Sequence, residues 1–244
     1  MIVGDVLEIE NMILGSSWNL KVPVNGYESS FGKNLVTQVQ FGRNFKIINL
    51  THIENKAFIK SQRIMVRLLE DGYECWFSLD DVIGKASLIK SWVPTLFSKK
   101  EIIERIPKVL SWVKDAYKIP NKYLWGGTIG PDYDCSGFVQ AAFSSEGIWL
   151  PRDAYQQEDF CEKIYLNFNN FRFVNPGDLL FFGNKESCTH VAIYLYQGKY
   201  IHSSGISNGL NGIGISSIYE NEPISSYYRS RLRSVGRVCR CYDG

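Results

Sequence analysis

One cysteine and two histidines in this 244-residue chain have the types and spacing for nucleophilic acyl chemistry. The cysteine lies in "YLWGGTIGPDYDCSGFVQAAF", Tyr123 to Phe143. Cys135, Phe138, Val139, Ala142 and Phe143 share one face at the helical period, which predicts a helix over 135–146 ended by Gly147. Asp134 is a natural N-cap, which places Cys135 in the first turn. Open backbone N–H groups and the helix dipole favour a thiolate there. The same position also suits a buried structural cysteine, since Cys is among the residues most often buried. The glycines before it are expected to leave backbone open to a substrate.

A cysteine nucleophile needs a base, and the chain has three histidines, His52, His190 and His202. His52 falls in a β-rich stretch and reads as a surface or packing residue. His190 and His202 fall on the two strands of a predicted hairpin, "HVAIYLY" and "KYIHSS", joined at Gln197-Gly198. Their even spacing lets them share a sheet face only if the register allows it. A strict two-residue turn would put them on opposite faces, so a longer or bulged connection is expected. Cys135, His190 and His202 then become nucleophile, base and orienting group. Donors for an oxyanion are the Cys135 N–H and the Tyr123 hydroxyl, although Tyr123 also reads as packing beside Trp125.

These residues need a scaffold. Up to about Lys90 the chain reads as short strands, "NLVTQVQF", "NFKIINL", "QRIMVRLLE" and "YECWFSL". The turn signals are Asn25-Gly26, Phe41-Gly42-Arg43-Asn44 and Asp71-Gly72, the last as a two-residue hairpin turn. A small all-β barrel is expected over 1–90. Ser98 and Glu101 have capping-box spacing, and Pro107 is expected to split the helical stretch near Arg105. That gives a linker over 91–106 and an α+β domain over 107–244, with a strand at "PGDLLFF".

Hydrophobic residues at 45% and charged residues at 21% fit a soluble globular protein. A net charge of +2 gives no reason to expect nucleic acid. Arg229, Arg231, Arg233, Arg237 and Arg240 read as a solvated strand face. No stretch has the length of a membrane span, and "MIVGDVLEIENMILG" lacks the pattern of a signal peptide, so a cytoplasmic protein is expected. The six cysteines show no disulfide framework. Cys188-Thr-His190 and Cys239-Arg-Cys241 fall short of the paired ligands of a structural zinc site, and neither metal nor cofactor is expected.

The stretches "YLWGG…DYDCSGFVQAAF…GIWLPRDAYQQ", "VNPGDLLFFG", "HVAIYL" and "YIHSS" resemble, in order, the motifs of the NlpC/P60 family of cysteine peptidases, which have a papain-like core. The resemblance covers roughly 107–240. It implies Cys135 as nucleophile, His190 as base, His202 as orienting residue and Tyr123 at the oxyanion. The first part is similar to the bacterial SH3-like (SH3b) modules often joined to this family. The whole resembles cyanobacterial-type enzymes that cut the γ-D-glutamyl bond to a diamino acid, meso-diaminopimelate or lysine, in peptidoglycan stem peptides with a free N-terminal L-Ala. A monomer acting on murein peptides is implied. A free ammonium calls for carboxylates, for which Asp134 and Asp153 are candidates, with Tyr73 and Glu74 of the first part closing the pocket. Ser136 and Arg152 are candidates for the D-Glu α-carboxylate. Asp134 also reads as a cap alone, Arg152 as a partner of Asp153, and Glu74 as an exposed strand residue. Ala154 stands where similar enzymes often carry Ser. Two other readings stay open: an exported hydrolase of intact wall anchored by its first domain, and an inert wall-peptide binder.

Overall fold

The computed structural model describes residues 2–51, 61–165 and 171–244. His52 lies outside the described residues. The chain forms two compact units, Met1–Pro94 with Asp243–Gly244, and Thr95–Tyr242.

The first unit holds strands β1 (Ser17–Leu20), β2 (Val24–Tyr27), β3 (Leu35–Val39), β4 (Asn44–Asn49), β5 (Arg63–Leu68) and β6 (Glu74–Ser78). A single turn, α1 (Leu79–Val82), and β7 (Ala86–Ile89) follow. The strands form one antiparallel sheet in the order β3-β2-β6-β5-β4-β1-β7. Alternate residues, among them Trp18, Phe45, Ile47, Val66 and Phe77, are buried on one core. This is the period-two burial of a one-sided sheet.

Two turn expectations need correction. Asn25-Gly26 lies inside β2. A Cβ on Gly26 would stand 2.7 Å from both Cys75 Sγ and Thr37 Cγ2, so this glycine admits neighbouring strands' side chains rather than turning the chain. Asp71-Gly72 is half of a longer loop: Leu68 N–H donates to the Tyr73 carbonyl at 2.9 Å, leaving Leu69 to Gly72 between them. Asp71 is held there by Arg43, whose Nη2 lies 2.9 Å from Asp71 Oδ2 and whose Nε lies 3.2 Å from Glu70 Oε2.

The second unit opens with α2 (Lys99–Lys118), capped by Ser98 and Glu101 as expected. It runs unbroken through Pro107, which corrects the predicted split. Proline removes one helical hydrogen bond and crowds the carbonyl four residues back. Buried Ile102, Val109 and Val113 on both sides of it hold the helix against the core.

Next come α3 (Cys135–Ser144), α4 (Ala154–Phe160), β8 (Glu162–Ile164), β9 (Leu179–Gly183), β10 (Cys188–Tyr196), β11 (Lys199–Ser204), β12 (Gly212–Ser217), α5 (Pro223–Arg229) and β13 (Leu232–Arg237). The six strands form an antiparallel sheet in the order β12-β11-β10-β9-β13-β8. Leu179, Phe181, Val191 and Ile193 join one core with Phe138, Val139 and Phe143 of α3. Leu180, Phe182, Ala192 and Tyr200 join a second core with Tyr228 of α5. This explains why β9 and β10 read as continuous apolar runs: both sheet faces are covered. The arginine-rich stretch is not one solvated strand face. Arg229 ends α5, Arg233 pairs with Glu158, and Arg237 makes a two-pronged pair with the buried carboxylate of Asp178.

Among the described residues no helix is long and apolar enough to cross a membrane.

Candidate active site

Asp134 caps α3, its Oδ1 accepting from Gly137 N–H at 2.7 Å. Cys135 is therefore the first helical residue, and it is 8% exposed. Burial pushes its thiol up to about 12, and the nearby Asp134 carboxylate adds to this. The backbone N–H groups of Val191 and Ser136 and the charge of Arg152 oppose the shift without reversing it. Burial thus outweighs the bonds and the cation that favour a thiolate, and the resting group is a neutral thiol. The Val191 N–H that acts on the thiol belongs to β10, next to His190 in the chain.

The two histidines meet through a bulge. Gln197 (φ 50°) and Gly198 (φ 77°) form a two-residue turn closed by Tyr196 and Lys199. The register then slips between Tyr194 and Tyr196, so that Tyr194 faces Tyr200 and Ile193 faces Ile201. The extra residue, Leu195, returns His190 and His202 to the same face. His190 Nε2 lies 2.8 Å from His202 Nδ1, and His202 Nε2 lies 3.1 Å from Ser216 Oγ on β12. Burial holds His190 well below the ordinary imidazole range, with His202 adding to it, and pushes His202 down to about 3. Both rings are therefore neutral at neutral pH. Cys188, weighed above as a metal ligand with His190, instead donates to the His190 carbonyl at 3.4 Å.

Beneath the cysteine lies a buried ionic cluster. Arg152, 1% exposed, donates from Nη2 to Asp134 Oδ2 at 2.5 Å, and from Nη1 to Asp134 Oδ1 at 3.2 Å and Ser136 Oγ at 2.9 Å. Ser136 Oγ donates to Asp134 Oδ1 at 3.3 Å, and Gly126 N–H reaches Asp134 Oδ2 at 2.8 Å. Asp134 and Ser136 are thus partners of Arg152. Asp134 is more than a cap, because its oxygens gather the glycine loop, the helix start and Arg152.

Gly127 of the loop and Gly137 of α3 serve that packing. A Cβ on Gly127 would stand 2.6 Å from the Asp132 carbonyl, and one on Gly137 would stand 2.1 Å from the Gly127 carbonyl. At these two positions the missing side chain makes room for the chain's own backbone, not for a substrate.

Tyr123 is partly buried, and burial holds its phenol well above the ordinary value, with Cys135 and Asp134 adding to the shift. It remains a protonated hydroxyl close to the thiol. Asp153 is half-buried at the start of α4, where Gln156 Oε1 accepts from its N–H at 3.0 Å. Tyr73 and Glu74 belong to the first unit, where Glu74 Oε1 takes Arg67 Nε at 3.0 Å. The structure thus brings together Cys135, His190, His202, Tyr123, Asp134, Ser136 and Arg152.

Three further residues escaped sequence reasoning. Ser216 ends the imidazole chain, and Ser203 Oγ donates to the Tyr133 carbonyl at 2.6 Å, tying β11 to the loop before Cys135. Tyr228 stacks on His190. Only the strand register and the path of α5 bring them here, and no local motif marks them.

A thiol held at the strand of an imidazole, with a second imidazole and a hydroxyl behind it, defines a cysteine–histidine site for nucleophilic chemistry on acyl groups. Residues 120–237, within the second unit, match the model of the NlpC/P60 family. Over 132 residues the chain is 35% identical to the bifunctional muramidase/DL-endopeptidase CwlT of Bacillus subtilis, covering 52% of this chain and 35% of that protein. Over 157 residues it is 31% identical to the gamma-D-glutamyl-L-lysine dipeptidyl-peptidase of the same organism, covering 63% and 49%. Over 118 residues it is 35% identical to the murein DD-endopeptidase MepS/murein LD-carboxypeptidase of Escherichia coli, covering 48% and 55%. The chain thus spans about half, or less, of the length of these relatives.

Proposed function

We propose that this protein is a cysteine peptidase that hydrolyses the γ-D-glutamyl–diamino acid bond of peptidoglycan stem peptides bearing a free N-terminal L-Ala, in the recycling of wall peptides. The observation that carries the reading is the buried run His190–His202–Ser216 at the strand that also holds the Cys135 thiol. The base-competent tautomer has both rings protonated at Nε2: His190 donates to His202, and His202 donates to Ser216. His190 Nδ1 then takes the thiol proton as sulfur attacks the scissile carbonyl. The Cys135 N–H, first in its helix, and the Tyr123 hydroxyl receive the oxyanion. The imidazolium returns its proton to the leaving amine, and water releases the acyl group by the same route. No cofactor enters this scheme.

The match to a protein named for γ-D-glutamyl-L-lysine cleavage supports the choice of bond. Asp153, half-buried at the start of α4, is the carboxylate we assign to a substrate ammonium, whereas Asp134 and Arg152 act from beneath by holding the cysteine. We read the first unit as an SH3-like module and the protein as a cytoplasmic monomer. The test is incubation with L-Ala-γ-D-Glu-meso-diaminopimelate and its N-acetylated form. Cleavage of the first alone supports the reading, and equal cleavage of both removes the free-amine requirement. Cys135→Ala is expected to abolish turnover and leave the fold intact.

A second reading, a hydrolase of intact wall, is favoured by the match to a murein DD-endopeptidase. Release of peptides from purified sacculi, where the L-Ala amine is blocked, would select it.

A further inference from the structure

Tyr228 occupies the corner formed by the two imidazoles. Its ring lies 4.3 Å from the His190 ring at an interplanar angle of 27°, a stacked pair. It meets the His202 ring edge-on, at 4.9 Å and 88°. The imidazoles are themselves nearly perpendicular, at 5.0 Å and 83°. The phenol is 2% exposed and pinned at its far end, with Ser204 Oγ at 2.6 Å and Asn208 Nδ2 at 3.2 Å from the hydroxyl. Phe182 backs it edge-on at 5.3 Å.

We propose that the ring face of Tyr228 holds the His190 imidazole in plane and stabilises its cationic form while the thiol is being deprotonated, a positioning role that rests on the cysteine-peptidase reading. Both reacting groups are neutral at rest, so activation creates a buried imidazolium. His202 can accept from that cation at Nε2, but nothing in this hydrogen bond compensates charge over the flat of the ring. An electron-rich aromatic face does, and cation–π attraction is largest where water is excluded. The other titratable or charged groups around the pair are His202 and Tyr200 from β11, Cys135 from α3, Tyr227 from α5, Tyr123 and Asp134 from the loop before α3, and Arg152 from the segment before α4. Tyr228 is the ring stacked on His190.

The sign of the effect distinguishes this role from simple packing. A face that stabilises imidazolium raises the basicity of His190. Losing it weakens the base, so the rate falls. It also keeps the imidazole unprotonated to lower pH, so the acid limb moves down. A packing defect lowers the rate without moving the limb.

The experiment is the rate of Cys135 alkylation by iodoacetamide across pH, resolved by peptide mass mapping in the full chain, with Cys135→Ala as blank. Tyr228→Leu is expected to lower the plateau about tenfold and move the acid limb down by about one unit. Tyr228→Phe keeps the face and is expected to stay within about twofold of the parent. Phenylalanines of increasing ring fluorination at 228 preserve shape while draining the face, and they serve if the leucine variant does not fold. Rate and limb should then fall stepwise with fluorine number. A plateau loss with an unmoved limb, a Phe variant behaving like Leu, or a flat fluorine series would overturn the proposal. Wild-type alkylation without any acid limb would overturn it together with the peptidase reading. Peptide hydrolysis by Cys135→Ala would end that reading alone, leaving the fluorine series to judge Tyr228.

Discussion

His190 Nε2 stands 2.8 Å from His202 Nδ1 because β10 carries one residue more than its hairpin needs, Leu195. The even spacing of the histidines is not enough by itself, since a plain two-residue turn would separate them across the sheet. Deleting Leu195 should therefore place His190 and His202 on opposite faces. Hydrolysis is expected to fall by about a thousandfold or more, with far-UV circular dichroism still showing the sheet. An active deletion variant would mean that the bulge does not set the face.

His202 acts through His190, so its loss should appear in kcat rather than in KM. His202→Ala is expected to lower kcat by about a hundredfold to ten-thousandfold, while His202→Gln, which can still accept from Nε2, should recover part of it. Steady-state kinetics on the stem tripeptide would separate the two constants. A rise in KM alone would assign His202 to binding.

Arg152 and Asp134 form a buried pair, their side chains 2% and 8% exposed. Arg152→Met should strand the Asp134 carboxylate and cost about 3–5 kcal/mol in urea unfolding. Adding Asp134→Asn should recover much of that loss, although the Gly126 and Gly137 bonds weaken. A double variant no more stable than the single one would show that the carboxylate is satisfied without Arg152.

Stability should fall on the acid side of neutrality. His202 is depressed to about 3, and His190 also lies below its ordinary value, both chiefly through burial. The unfolded chain then binds protons that the folded chain does not. The stabilisation is complete above the unfolded imidazole value of about 6.5 and is lost as pH falls from there towards about 3. Urea midpoints at about pH 7.5 and about pH 5 should differ more for the wild type than for His202→Gln. Equal differences would mean that His202 is accessible to protons in the folded state.

Much of this site is legible in the chain because its strongest signals are local. Asp134 before an apolar-periodic run announces a capped helix, and the branched and aromatic runs announce strands. The bulge could be anticipated because a strict turn and a shared face are incompatible. The signals that failed describe contacts with distant neighbours. Asn25-Gly26 has the composition of a turn, but Gly26 answers to Cys75 and Thr37. Pro107 is a helix breaker by local rule, yet the buried residues on either side hold α2 together. Gly127 reads as open backbone until the loop is seen packed against its own carbonyls. The helix dipole suggested an ionised thiol, but burial decides otherwise, and burial is not a local property. Ser216 and Tyr228 carry no motif because their places depend on strand pairing and on the return of α5.

The hydrogen bond from Ser203 Oγ to the Tyr133 carbonyl joins residues seventy positions apart. During synthesis the segment bearing Cys135 emerges well before the strands that bear His190, His202 and Ser216. The candidate set of Cys135, His190, His202 and Ser216 is complete only when β12 is paired with β11. The candidate site is thus a product of long-range strand pairing, and no short piece of the chain contains it.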